Sequence, residues 1–368
     1  MQPPSDIARQ ISRRHFLSDS GVGLGRAAAL GLLPAVAGQA VRAAAATDAA
    51  NHPGRLPQAK QVIHLFMAGA PSQLELFDYK PELARLEGKP LPPSIIGSQR
   101  YAFIRPDAAV LGPRYRFARH GESGAEISAA APHLAAVADA LCILRAVHTD
   151  QFNRAPAQIF LSSGFSLPGR PSLGSWVLYG LGSLSDDLPS YVVMSTGSGL
   201  SGGAALWSSG FLPNRYAGVR LRSQGDPILH VSNPTGVDAE LQRDTLAIIN
   251  RLNRRQLDLA GDPEIAARIA SFEMAARLQL SAPELTDLAS ESPATLDMYG
   301  CDPQVASFAR ACLLARRMVE RGVRFVSIFH EGWDAHADVE GNVRDNCQKT
   351  DQASAALVKD LKQRGLLD

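Results

Sequence analysis

The amino-acid sequence predicts an α/β fold, a mainly parallel sheet flanked by helices, and three observations predict it. Short, almost continuously apolar runs recur along the chain, as strands buried on both faces of a parallel sheet require. Segments of helical periodicity separate them, the alternation that right-handed crossovers produce. Dense polar clusters directly follow three of the runs, and the carboxyl edge of such a sheet is where ligands bind.

In chain order, the first element is a targeting segment. Arg13-Arg14 precedes Phe16-Leu17. A Gly- and Ala-rich apolar stretch then runs from Gly21 to Ala40, broken only by Arg26 and Gln39, and ends in the small residues Ala43 to Ala46. A charged start, a short apolar middle and a small-residue end are the parts of a signal peptide. The paired arginines make it the twin-arginine kind, an address read by a receptor. The alternative is an ordinary amphipathic N-terminal helix. On the signal reading, residues 1–45 leave after export by the twin-arginine translocase, and the mature protein is periplasmic or secreted. A permanent membrane span is not expected, because the stretch falls short of the ~20 strongly apolar residues a span needs.

Residues 46–60, with Asn51-His52-Pro53-Gly54, read as a linker, and the domain is expected over 61–368. Strands are expected at Gln61–Ala68, Leu141–Val147, Tyr191–Ser195, Ile228–Ser232 and Val323–Phe329. Helices are expected at Ala125–Ala140, Ala155–Ser163, Leu173–Leu181, Asp238–Leu259, Pro263–Leu280, Pro303–Arg321 and Val343–Arg364. Residues 83–124 and 197–227, rich in Pro, Gly and Arg, read as long loops, and 236–300 as a helical insertion.

Charge and cysteines exclude some classes. Removing residues 1–45 takes away five Lys/Arg and two Asp/Glu, so 37 and 36 become 32 and 34. A near-neutral chain has no bulk charge with which to hold nucleic acid or an acidic membrane. Cys142, Cys301, Cys312 and Cys347 lie at long intervals with no C-x-x-C pair, which gives a zinc-thiolate knuckle no support. Cys142 reads as a buried small hydrophobe, and one or two disulfides remain open after export.

The three polar clusters carry the chemistry. Gly69-Ala70-Pro71-Ser72-Gln73-Leu74-Glu75-Leu76-Phe77-Asp78 would present Ser72, Glu75 and Asp78 at a strand end, or Ser72 or Asp78 would simply cap a helix. His148-Thr149-Asp150-Gln151-Phe152-Asn153-Arg154 places hydroxyl, imidazole and carboxylate at a helix N-terminus that favours an anion such as phosphate or sulfate, or again caps a helix. His330-Glu331-Gly332-Trp333-Asp334-Ala335-His336 holds two imidazoles and a carboxylate, the usual donors of a divalent metal outside thiolate sites. Asp334 and His336, two apart, point the same way if the segment is extended. A solvated loop is the alternative. Lys349, Lys359 and Lys362 read as the solvated face of the last helix, and Arg251, Arg254 and Arg255 as another helix surface.

The pieces LFMAGAPSQLELFDYKP, HTDQFNRAPAQIFLSSG, GRPSLGSWVLYGLG and FHEGWDAHADVEGN together resemble the exported bacterial family known as domain of unknown function 1501, from about Gln61 onward. That family is similar in fold to the alkaline phosphatase and sulfatase superfamily, which implies a three-layer sandwich and a metal-dependent hydrolase of phosphate or sulfate esters, with small molecules or polysaccharides as substrates. The resemblance implies a divalent metal (zinc, calcium or magnesium) held by Asp334 and His336, then His330, with Asp78 or Glu75 as the carboxylate after the first strand. Ser163-Gly164 looks like the close of the nucleophile helix, but the nucleophile position ten residues before that glycine is Arg154. The nucleophile is then Thr149, Ser72 or a metal-bound water, with Arg154 as an oxyanion clamp; or the chain is an inactive exported binding or scaffold protein. Relatives continue with a further strand and a final His, so the resemblance also implies a chain truncated at its C-terminus, short of part of the fold.

Overall fold

The computed structural model describes residues 59–97, 108–185, 187–197, 200–222, 236–260, 269, 273 and 284–367. The expected signal segment 1–45, nearly all of the expected linker, the strand expected at Ile228–Ser232 and most of the helix expected at Pro263–Leu280 lie outside the described residues.

Six strands are described: β1 (Val62–Met67), β2 (Phe117–His120), β3 (Ala125–Ser128), β4 (Tyr191–Thr196), β5 (Val219–Arg220) and β6 (Phe325–His330). β1, β4, β5 and β6 form one parallel sheet in the order β1-β6-β4-β5, while β2 and β3 pair as a separate antiparallel hairpin. The longer helices are α1 (Arg154–Ser163), α2 (Leu173–Leu181), α3 (Ala239–Ala260), α4 (Pro293–Tyr299), α5 (Phe308–Glu320) and α6 (Val339–Gln363).

Strand periodicity explains the layers. Successive side chains alternate between the faces of the sheet. Val192, Met194, Val326 and Ile328 pack with α4, α5 and α6 through Tyr299, Leu313, Met318 and Leu357. Tyr191, Val193, Phe325 and Phe329 face the other way, onto Ile159 of α1 and Val177 and Leu178 of α2. Both faces of the sheet are therefore covered, and the expected α/β class with a parallel sheet flanked by helices is what forms. A satellite core joins the hairpin to α6 through Ile127, Trp333, Val343 and Cys347.

Register positions the site. His330 pairs with Met67 on one side and Thr196 on the other, so β1, β6 and β4 end in line. The backbone stays tied beyond the strands: Ala68 N–H donates to His330 O at 2.7 Å and Glu331 N–H to Thr196 O at 3.1 Å.

Local signals set the helix that backs this sheet. Ser307 caps α5, its hydroxyl accepting from Arg310 N–H at 3.0 Å. Substituting a capping serine by alanine costs ~1 kcal/mol. Ser307→Ala should therefore lower the urea midpoint without altering the denaturant slope; an unchanged midpoint would show that the cap contributes nothing.

Three expectations are corrected. Ala125–Ala140 is not one helix: Ala125–Ser128 is β3, and Pro132 starts a short helical turn, Pro132–Ala135. A helix from Ala125 would need an amide hydrogen that Pro132 lacks, and the hairpin with β2 buries Ile127 fully. Leu141–Val147 is not a strand. The segment runs as irregular chain with Leu144 62% and Val147 60% exposed. Cys142, expected inside, is exposed, while Cys301, Cys312 and Cys347 are buried, and all four thiols are free. Among the described residues no helix is long and apolar enough to cross a membrane.

Candidate functional site

A cleft of about 530 Å³ opens at the carboxyl ends of β1, β4 and β6. Each strand delivers part of the wall: Ala68 and Gly69 after β1, Gly197 after β4, and Glu331, Gly332 and Asp334 after β6. Arg154 and Gln158 of α1 close one side and Asn342, Asp345, Asn346 and Lys349 of α6 another, with Ser201 beside them.

Two glycines allow the strand ends to approach. Gly69 has φ +101°, and a Cβ there would lie 2.6 Å from the Asp334 backbone nitrogen. Gly197 has φ +107°, and a Cβ there would lie 2.9 Å from Glu331 Cβ. Only glycine adopts such backbone at low cost, so the Gly after each strand is what brings Asp334 and Glu331 to the cleft.

Arg154, the first residue of α1, crosses to the loop after β6. Its guanidinium ion-pairs with Asp334 Oδ2 at 2.5 Å, and His336 Nε2 reaches the same oxygen at 2.8 Å. A carboxylate only accepts, so Nε2 carries the hydrogen and donates it. The 3.4 Å approach of Arg154 Nη2 to that nitrogen is then a donor facing a donor, not a hydrogen bond.

His330 lies behind this wall, only 5% exposed. Its Nδ1 is 2.8 Å from Thr196 Oγ1, and its Nε2 makes no hydrogen bond. Burial holds its pKa below the ordinary imidazole value. Burial raises Glu331 above the usual carboxylate range, with Arg220 opposing.

The other expected residues sit elsewhere. Ser72 is the N-cap of the short helix Gln73–Leu76 and makes no side-chain capping bond, and Asp78 pairs with Lys80 at 2.9 Å. Glu75 is buried, accepting from Arg114 N–H at 2.9 Å. Thr149 is exposed and accepts from Gln151 N–H at 3.1 Å. None of these four lines the cleft. The structure thus brings Arg154, Asp334 and His336 together and leaves Ser72, Thr149 and Asp78 outside.

The donors as placed do not fit a metal ion. Asp334 Oδ2 is occupied by a guanidinium and an imidazole N–H, while His330, tied to Thr196 through Nδ1, keeps its unengaged Nε2 buried behind the wall. Among the described residues no group of three or more His, Cys, Asp or Glu stands close enough to hold one.

Sequence reasoning missed the α6 wall. Asn342, Asp345, Asn346 and Lys349 recur at i, i+3, i+4 and i+7, the spacing of one helix face. That polar stripe was the available signal, and it moves Lys349 from a solvated face into the cleft.

A family model described as "Protein of unknown function (DUF1501)" matches residues 59–368. No curated protein and no solved structure matches the chain.

Proposed function

The chain belongs to the DUF1501 family, and from that premise we propose that it is an exported, hydrolase-like protein of alkaline phosphatase/sulfatase architecture whose strand-end cleft receives a phosphate or sulfate ester. The observation that carries this reading is the convergence of Gly69, Arg154 and Asp334 on one cleft at the carboxyl edge of a parallel sheet. These residues come from three of the four sequence pieces that resemble the family. Arg154 and Lys349 are the cations that would meet the oxyanion. The guanidinium has five N–H donors, so one pairing with Asp334 leaves others for a ligand. Glu331, whose pKa burial raises, stands on the cleft wall as the candidate proton donor to the leaving group. Asn342 and Asn346 supply neutral polar contacts. The twin-arginine segment supports delivery outside the cytoplasm, where small-molecule or polysaccharide esters are encountered.

A second reading is an inactive exported binding protein on the same fold. The ion pair between Arg154 and Asp334 favours it, because it joins the residue at the nucleophile position to the expected metal ligand.

A panel of aryl phosphate and sulfate esters, assayed with and without added divalent ions, separates the two. Turnover reduced at least tenfold in Glu331→Gln supports the hydrolase. Saturable binding of inorganic phosphate or sulfate without turnover, weakened in Lys349→Met, supports the binder. Neither turnover nor binding sinks both.

A further inference from the structure

We infer that Arg154 is a tethered cation standing where a divalent ion would stand, so that the Asp334–His336 pair is closed to metal while Arg154 is in place. The inference does not depend on the ester reading and survives if no ester binds.

Imidazole nitrogen and carboxylate oxygen two residues apart are a natural half-site for zinc. Here both are engaged, and with each other: His336 Nε2 lies 2.8 Å from Asp334 Oδ2. A metal on that nitrogen requires it to give up the hydrogen it donates. The carboxylate charge is also neutralised, because Arg154 Nη1 stands 2.5 Å from the same oxygen. Guanidinium and metal therefore compete for one atom, and a delocalised cation that cannot lose its charge is a permanent competitor.

The arrangement is held from both sides. Asp334 cannot drift from Arg154 toward β1, because its backbone nitrogen already lies against Gly69. Arg154 opens α1, and Gln158, one turn on, is pinned where its Oε1 accepts from Gly202 N–H at 3.0 Å. The cleft wall carries Arg154 and Lys349 against Glu331, Asp334 and Asp345. Removing Arg154 would leave one cation facing three carboxylates, an environment that attracts a divalent ion.

The test uses zinc alone with the full chain, by calorimetry and by metal content after dialysis. Wild type is expected to bind no zinc at the pair. Arg154→Met should gain one equivalent, bound at least tenfold more tightly than any wild-type zinc, and Arg154→Met combined with Asp334→Asn should lose it. Arg154→Lys, which keeps the charge, should stay closed. Arg154 is half exposed at the first position of a helix, so the variants should fold, and thermal unfolding checks that; Arg154→Gln serves if Met does not. The inference is overturned if wild type binds zinc as tightly as Arg154→Met. It is also overturned if neither Arg154→Met nor Arg154→Gln gains zinc, if the gain survives Asp334→Asn, or if Arg154→Lys opens the pair equally.

Discussion

Arg316→Met is expected to destabilise the protein by ~3 kcal/mol, the low end of the cost of breaking a buried ion pair. Arg316 lies on α5 with its side chain 3% exposed, and three carboxylates surround it. Glu291 Oε2 and Glu320 Oε2 each stand 2.6 Å from its terminal nitrogens, and Asp360 Oδ2 of α6 lies 3.1 Å from Nε. Methionine keeps much of the volume but strands these acids. The cost stays near the low end because Arg317 still meets Glu291, and Arg364 still meets Asp360 and Glu320.

The pH dependence gives a second readout of the same cluster. Burial alone would raise Glu291, but Arg316 and Arg317 together hold it below the ordinary carboxylate value. A depressed acid contributes stability that is full above its unfolded pKa of ~4.3 and is lost as pH falls through the folded value. Wild type should therefore lose stability over that acid window, and the loss should be shallower in Arg316→Met. Urea unfolding at pH 7 and at pH 3 measures both; equal acid slopes would show that Arg316 does not set the Glu291 pKa.

Gly69→Ala is expected to cost ~3 kcal/mol and to disturb the cleft with it. Left-handed backbone strains a non-glycine residue by ~1–3 kcal/mol, and Gly69 has φ +101°. The added methyl would also stand 2.9 Å from Asp334 Cβ, so the loop after β6 would have to move. Gly88→Ala is the control, since φ there is +77° but nothing lies within 4 Å of its Cβ position. If both variants lose the same stability and leave phosphate binding alike, strain alone accounts for Gly69 and the close approach has no role.

Much of the sheet was legible because its strands are buried on both faces. The apolar runs at β1, β4 and β6 admit few other readings, and α1 and α2 follow from clear helical periodicity. Leu141–Val147 shows the limit: an apolar run states a preference for burial, yet Leu144 and Val147 stay exposed in irregular chain. The Ala-rich stretch before it failed differently, because pairing with β2 outweighed local helix propensity. At the site, the polar segments after β1 and β6 pointed to the edge where the cleft opens. The contact of Arg154 with Asp334 was not legible, because it joins residues 180 positions apart and depends on how α1 is aimed. Spacing alone suggested a metal for Asp334 and His336; it could not reveal that a cation of the protein's own was within reach.

The register that aligns the strand ends also governs how the chain can acquire its structure. Val62 pairs with Phe325, and the next strand over is β4, so β1 has no described neighbour until β6 is made. Closing so long a loop is slow and must precede the contacts that reward it. A ribosome-bound chain would carry β1 and β4 without the strand that separates them. Their apolar faces would stay open to aggregation or chaperones until β6 emerges. The time at which β6 emerges, rather than local helix formation, would then set when the protein first becomes protease-resistant.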